Sequence, residues 1–312
     1  MFPPGRNLAE RRTIISIPIG KLEAPMLETV DLKKAITKAA YTKRINELQE
    51  QLRRLQYEIK QSEIPVTLCL EGWDSSGKGT IIKKLTERLD PRLFKVHPGT
   101  PPNELERKYH FLWRYQIALP NDGEMAVFDH SWYSRVLVER CDKLTKKKDW
   151  NAAFQQISEF ERWLADDGQI IVKFWLHISK KEQAKRFCAD LKDPLRKWKI
   201  TDEYKRHHKQ YGKWTEAVEE MLSRTDTPHA PWTLVEATDT HWSRIRIFET
   251  LITRMEEALR RANENPLGVS RRQAASAARK AMQAKRKEQE HAMAQAEEKK
   301  AMAEPATELT HA

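Results

Sequence analysis

Residues 66–80, VTLCLEGWDSSGKGT, constrain the fold more than any other stretch of the chain. The apolar run Val66–Leu70 predicts a buried parallel strand, because a strand covered on both faces reads as continuously apolar. The run breaks at Gly72, and the loop Gly72, Trp73, Asp74, Ser75, Ser76, Gly77, Lys78, Gly79 and Thr80 leads into a helical pattern with Ile81, Ile82 and Leu85 on one side. Strand, glycine-bearing loop, lysine and helix together form a phosphate cradle. Backbone N–H groups and the positive helix end converge on an anion, and Lys78 adds a point charge. The common pattern ends in Gly-Lys-Ser/Thr, whose hydroxyl binds Mg²⁺. Here Gly79 follows the lysine, and an acid, Asp74, sits inside the loop. A carboxylate beside a phosphate cradle makes sense when Mg²⁺ lies between them, with Mn²⁺ as an alternative ion. The plainer alternative is a strand–turn–helix junction whose glycines serve only the turn.

A second loop matches the first. The apolar run Met125–Phe128 ends in Asp129, His130, Ser131, Trp132 and Tyr133. An acid at the carboxyl end of a parallel strand is where phosphoryl-transfer enzymes place a metal-binding aspartate. Behind it, Arg135 and Glu139 are four residues apart and share a face if the segment is helical. A helix cap at Asp129 plus a surface ion pair is the alternative.

Strands are expected at Val66–Leu70, Phe94–His97, Met125–Phe128, Ile170–Ile178 and Trp232–Val235, with helices in the gaps. Such alternation predicts an α/β fold, a doubly wound, parallel, five-stranded sheet flanked by helices. Ligands then bind outside the carboxyl ends of the strands, where both acidic loops fall. Glu236 to Asp239, after the fifth strand, is read as capping the next helix, and Ser179 with Glu182 as a capping box. Asp31 is read as the cap of a helix from Leu32 to Lys60, whose stripe Ile45, Leu48, Leu52, Leu55 and Ile59 suits either its own domain or a subunit contact. A helix over Asn103–Leu119 would put Arg107, His110 and Arg114 on one face, either a track for a polyanion or a wet surface. Residues 1–30 read as a surface arm, 31–262 as the folded domain and 263–312 as a polar tail, helical or disordered, that cannot build a core.

The net charge is +11, of which +9 falls on residues 1–262. A basic folded core suits a polyanionic partner, nucleic acid or polyphosphate, and equally serves general solubility. No zinc-finger, RNP-like or clear helix-turn-helix pattern is present, so nucleic acid is disfavoured. There is no run of 18 apolar residues and no secretory pattern at the N-terminus, so neither a membrane span nor export is expected. Cys69, Cys141 and Cys188 form no disulfide or metal pattern, which fits a reducing cytoplasm.

Five motifs occur in order: EGWDSSGKG, LWRYQIALP, FDHSWYSRVLVER, KFWLHISKKEQ and DPLRKWK. Together they resemble the polyphosphate kinase 2 family over about Leu32 to Leu259, most of all its AMP-phosphorylating branch. One departure matters: where the family usually has arginine after the second-loop aspartate, this chain has His130, a candidate to face phosphate in its place. The resemblance implies a P-loop kinase-like fold with a helical lid at about residues 190–210. It implies phosphoryl transfer between inorganic polyphosphate and an adenine or guanine nucleotide, AMP to ADP first and ADP to ATP as the variant. Lys78 and the loop amides would hold phosphates, and Asp74 and Asp129 would hold Mg²⁺, one of them orienting the attacking oxygen. Arg135, Arg140, Arg114 and the lid cations Arg196, Lys197 and Lys199 would neutralise charge, and Glu139 would fix the arginines. Together with the long N-terminal helix, the resemblance also suggests a homo-oligomer. The rival readings are an ATP-dependent nucleoside monophosphate kinase, a non-catalytic polyphosphate- or nucleotide-binding protein, and, on charge alone, a nucleic-acid-binding module.

Overall fold

The structure, a computed structural model, describes residues 27–264 and 282–288. The expected arm up to residue 26 and most of the polar tail therefore lie outside the described residues. The elements run α1 (Lys38–Gln61), β1 (Val66–Gly72), α2 (Lys78–Thr86), β2 (Phe94–Pro98), α3 (Trp113–Gln116), β3 (Met125–Asp129) and α4 (Val138–Cys141). They continue with α5 (Lys147–Asp166), β4 (Ile170–His177), α6 (Lys180–Lys192), α7 (Asp202–Lys209), α8 (Tyr211–Thr225), β5 (Trp232–Glu236) and α9 (Thr240–Glu264).

The five strands form one parallel sheet in the order β2-β3-β1-β4-β5. Every residue of β1 and β4 is buried, which is why both read as mostly apolar, with Lys173 the charged interruption in β4. β2, at an edge, is only half-buried and carries Lys95 on its open side. Register sets the two acidic loops side by side, because Leu70, two residues before the end of β1, pairs with Asp129 at the end of β3. Among the described residues, no helix is long and apolar enough to cross a membrane.

The first helix starts later than Asp31 would have it. Thr37 caps α1, its hydroxyl accepting the Ala40 N–H (3.3 Å), while Asp31 takes the Lys33 N–H (3.0 Å) in a separate turn. The stripe Ile45, Leu48, Leu52, Leu55 and Ile59 is buried inside its own domain, where α1 packs along α9. That leaves the stripe unavailable to a second subunit. The capping reading after β5 holds, since Asp239 Oδ1 accepts the Trp242 N–H (2.6 Å) at the start of α9. Ser179 caps α6 (3.1 Å to Glu182 N), but Glu182 turns its own carboxylate to Arg186 (2.9 Å) instead of closing a capping box.

The helix expected over Asn103–Leu119 does not form. Asn103 and Glu106 cap each other reciprocally (2.9 Å each way) into a 3-10 turn, Glu106–Lys108. Tyr109 is extended and stacks on Trp113 (4.3 Å between centroids), and helix resumes for one turn as α3. Phe111, Leu112 and Tyr115 are held against the core, and that packing outweighs helical continuity in an aromatic run of modest helix propensity. Arg107, His110 and Arg114 therefore share no helical face.

Behind the second loop lies a fully buried ion pair. Lys173 on β4 donates to Glu161 (2.8 Å), to the Tyr133 hydroxyl (2.7 Å) and to the Thr225 carbonyl (2.8 Å). Glu161 also accepts from Trp132 Nε1 (3.0 Å) and the Tyr133 hydroxyl (2.7 Å). All three ammonium protons are used, which is the condition for tolerating a charge at zero exposure. The network anchors Trp132 and Tyr133, and so fixes the chain just after Asp129.

Candidate active site

The first loop is built by backbone that only glycine adopts without strain. Gly72 has φ 150°, and a Cβ there would lie 2.7 Å from Leu176 Cβ and 2.8 Å from its carbonyl oxygen. Gly77 (φ 107°) turns the chain into α2. Lys78 is buried and folds back over the loop, donating to the carbonyls of Gly72 (3.0 Å) and Trp73 (3.3 Å). Ser76 Oγ is buried without a partner, and the Thr80 hydroxyl serves the turn through Gly77 O (2.8 Å). At Gly79 a Cβ would meet nothing within 4 Å, so the missing Ser/Thr hydroxyl is not a matter of room.

Asp129 stands at the end of β3 with Oδ1 buried and unpartnered. A lone carboxylate oxygen out of water is costly unless a cation completes it. Asp74 and Asp129 offer the hard oxygen donors that Mg²⁺ takes, so the residues fit that ion. His130 (φ 65°) turns inward, donating Nδ1 to Glu71 Oε2 (3.2 Å). Glu71, buried at the end of β1, also accepts from Ser131 N (2.7 Å) and Oγ (2.8 Å). Burial pushes the Glu71 carboxyl up, but the His130 and Ser131 donors outweigh it and hold it below its ordinary range. His130 thus ties the second loop to the first strand. Gly99 packs on it so closely that a Cβ would lie 2.6 Å from His130 Cβ.

Arg135 and Glu139 meet as expected (2.5 Å), although a break between a 3-10 turn and α4 separates them. Thr145 donates to the same carboxylate (2.6 Å). Arg140 turns away from Glu139. It pairs with Glu220 on α8 (2.7 Å) and lies 4.2 Å over the Trp150 ring. Glu139 therefore fixes one arginine, not two. Arg114 lies between Thr100 (3.3 Å) and Glu106 (3.5 Å). Arg196 is engaged by Asp193 and Asp190 within the lid, and Lys197 is exposed. The side chain of Lys199 lies outside the described set.

The lid comprises a 3-10 turn at Lys197–Lys199 and α7, and it reaches the first loop through residues that sequence reasoning passed over. His207 donates Nδ1 to Asp74 Oδ2 (2.9 Å). Burial pulls the His207 pKa down, but Asp74 and Asp142 outweigh it and the net shift is upward. The Tyr204 hydroxyl is pushed up by burial first and then by the negative fields of Asp74 and Asp129. The lid cations expected from the sequence lie at residues 196–199, and nothing in the spacing of KRHHK singles out His207.

Arg186 was also missed, since nothing in the sequence tells it from any other arginine on a helix. Its guanidinium reaches the carbonyls of Ser75 and Ser76 (3.0 Å each), Ala237 (2.7 Å) and Thr238 (2.9 Å), besides Glu182. All its N–H groups are thereby spent on tying the first loop to the loop after β5. Trp73 donates to His177 Nδ1 (3.0 Å) and stacks on Tyr211 (4.1 Å), and burial pushes the His177 pKa down to about 4. A cleft of about 620 Å³ lies elsewhere, between the carboxyl ends of α1 and α9, lined by Gln51, Arg54, Glu58 and Arg260. It sits away from the carboxyl ends of the strands, where this kind of sheet binds its ligands.

The family profile of polyphosphate kinase 2 matches residues 35–263. The chain is 34% identical over 249 residues to a polyphosphate:AMP phosphotransferase of Pseudomonas syringae pv. tomato, covering 80% of this chain and 50% of that one. It is 34% identical to an ADP-polyphosphate phosphotransferase of Pseudomonas aeruginosa, covering 73% of this chain and 75% of the other. The crystal structure of a polyphosphate kinase 2 from Arthrobacter aurescens TC1 superposes with a TM-score of 0.72 at 27% identity, over 75% of this chain and 86% of that one. The chain thus spans about half the length of the polyphosphate:AMP phosphotransferases it matches. Five ordered motifs, the parallel sheet with its glycine loop, and a profile match over most of the domain agree: the chain belongs to the polyphosphate kinase 2 family.

Proposed function

We propose that this chain transfers a phosphoryl group between inorganic polyphosphate and a nucleotide, taking AMP to ADP. The convergence of Lys78, Asp74 and Asp129 at the carboxyl ends of neighbouring strands carries this reading, with the buried, unpartnered Asp129 Oδ1 at its centre. The names of the relatives support the donor and acceptor. Transfers of this kind need positioning and charge neutralisation more than covalent chemistry. Lys78 would exchange its bonds to the loop carbonyls for phosphate oxygens, and the amides around Gly77 would complete the cradle. A divalent ion between Asp74 and Asp129 would offset the charge on the phosphoryl oxygens. Arg135, held by Glu139 and Thr145, presents a pre-oriented guanidinium to the same region. Arg140, Arg114 and the lid lysines 197 and 199 serve as longer-range cations. The lid would close over the acids and exclude water.

The test is a product analysis with Mg²⁺, long-chain polyphosphate and each nucleoside mono- and diphosphate. ADP from AMP is expected, with ATP from ADP as the variant. Turnover with ATP but not polyphosphate as donor would make this a nucleoside monophosphate kinase. Binding without product would make it a carrier. The homo-oligomer now rests on family resemblance alone, as does residence in the cytoplasm on composition, and light scattering checks the first.

A further inference from the structure

The geometry points to a second cation site, separate from the phosphate loop: we infer that Asp142, Glu203 and His207 bind a transition-metal dication of the zinc class and pin the lid shut. Glu203 and His207 are four apart on α7 and share a face, and Asp142 caps the end of α4 opposite them. One ligand atom from each falls within 4.8 Å of the others. His207 Nε2 lies 3.4 Å from Asp142 Oδ2 and 3.8 Å from Glu203 Oε1. These spacings are long for hydrogen bonds. They are close to the edge of a tetrahedron with metal–ligand bonds of about 2.0–2.2 Å, which is roughly 3.3–3.6 Å.

Two further observations point to a ligand. The Asp142 side chain is only 8% exposed, yet its Oδ1 is buried with no partner. His207 Nδ1 already donates to Asp74 Oδ2 (2.9 Å), which turns the Nε2 lone pair of the neutral imidazole toward the two carboxylates. A carboxylate that orients a metal-bound histidine in this way is a common support in metal sites. Asp74 has a second oxygen, so this support does not exclude its part at the phosphate loop. Water would supply the fourth position on the side where Glu203 is half-exposed.

The charged surroundings are Arg206, 2.8 Å from Asp142 Oδ2, and Lys213, bonded to the Cys141 carbonyl (2.6 Å). Arg206 is half-exposed and shares Oδ2, the oxygen nearest His207 Nε2, while Oδ1 of the same carboxylate has no partner. Binding takes neutral imidazole and releases the Nε2 proton. Imidazole with two carboxylates favours zinc-class ions over Mg²⁺, which prefers oxygen and keeps its waters.

The experiment uses the full chain, stripped with chelator and titrated with Zn²⁺ by calorimetry, with Co²⁺ as a spectroscopic probe of four-coordination. With excess Mg²⁺ present to occupy the phosphate-loop acids, one Zn²⁺ per chain is expected, with the visible bands of tetrahedral Co²⁺. Glu203→Gln and Asp142→Asn should each weaken binding at least tenfold, whereas Asp129→Asn should leave it unchanged. Glu203 is exposed enough that its replacement does not threaten the fold. No binding, or binding indifferent to both substitutions, would reduce the cluster to lid ion pairs. Loss of binding in Asp129→Asn would place the ion at the phosphate loop and overturn the proposal without touching the phosphotransfer reading.

Discussion

Asp129 is the residue where function and stability pull apart most clearly. Its Oδ1 is buried and unpartnered, so the folded chain carries a desolvation cost that a bound cation would offset. Asp129→Asn should therefore keep or raise the melting temperature while lowering kcat by about 10²–10³, the scale of losing one preorganised electrostatic group. Equal losses in melting temperature and turnover would make the side chain structural. His207 offers a second test, through pH. Its folded pKa lies above the ordinary value, because Asp74 and Asp142 favour the charged form more than burial opposes it. Its stabilising contribution is then fully present below about pH 6.5, the unfolded value, and disappears as pH rises through the folded value. In chelator, the melting-temperature difference between the native chain and His207→Gln should be largest near pH 6 and shrink toward pH 9. A difference that grows with pH would mean a neutral histidine in the fold.

Among the elements, those with strong period or glycine punctuation were legible in the sequence, and those decided by tertiary contacts were not. β1, β3 and the first loop could be read because a twice-covered strand is apolar throughout and because Gly72 and Gly77 occupy backbone other residues strain to adopt. The Asn103–Leu119 segment misled because its periodicity was real, while reciprocal capping at Asn103–Glu106 and the Tyr109–Trp113 stack broke the helix locally. The expected lid segment stood out in the sequence by its cations, whereas its contact with the first loop is made by His207. The coupling between α6 and the first loop was hidden, since no spacing tells an arginine that bonds backbone carbonyls from one in a surface pair. Arg186→Lys tests that coupling. Lysine keeps the charge but lacks the fork needed to reach the carbonyls of Ser75, Ser76, Ala237 and Thr238 together. We expect a stability loss on the order of 3 kcal/mol, a few charge-assisted bonds' worth. The apparent KM for polyphosphate should rise beyond what an equally destabilising change in α5 produces. An unchanged KM would leave Arg186 a brace for the fold alone.

At the scale of the whole molecule, the two loops work together only because the sheet fixes their spacing, and the sheet is held from behind by the Lys173–Glu161 pair. That pair reaches β4, α5, the chain after β3 and the end of α8 at once. It was invisible in the sequence, where Lys173 interrupts an apolar strand and Glu161 sits on a helix rich in other charges. The +9 of residues 1–262 has to be spread over the surface, so a cation at zero exposure is held for its bonds and not for the field outside. Glu161→Gln keeps the shape and leaves the Lys173 ammonium buried without its counter-charge. Breaking a buried pair in this way costs about 3–5 kcal/mol, a large share of a domain's stability. Denaturant unfolding should show that loss as a lower midpoint with an unchanged slope. Glu161→Gln with Lys173→Met removes both charges and should recover much of the loss, because a matched apolar replacement escapes the desolvation penalty. Turnover in the double variant should nevertheless stay below the native value. Trp132 and Tyr133 would lose the Glu161 carboxylate that orients them, and Asp129 would lose the fixed chain beside it. Full recovery of both stability and turnover would show that the pair acts only as filling.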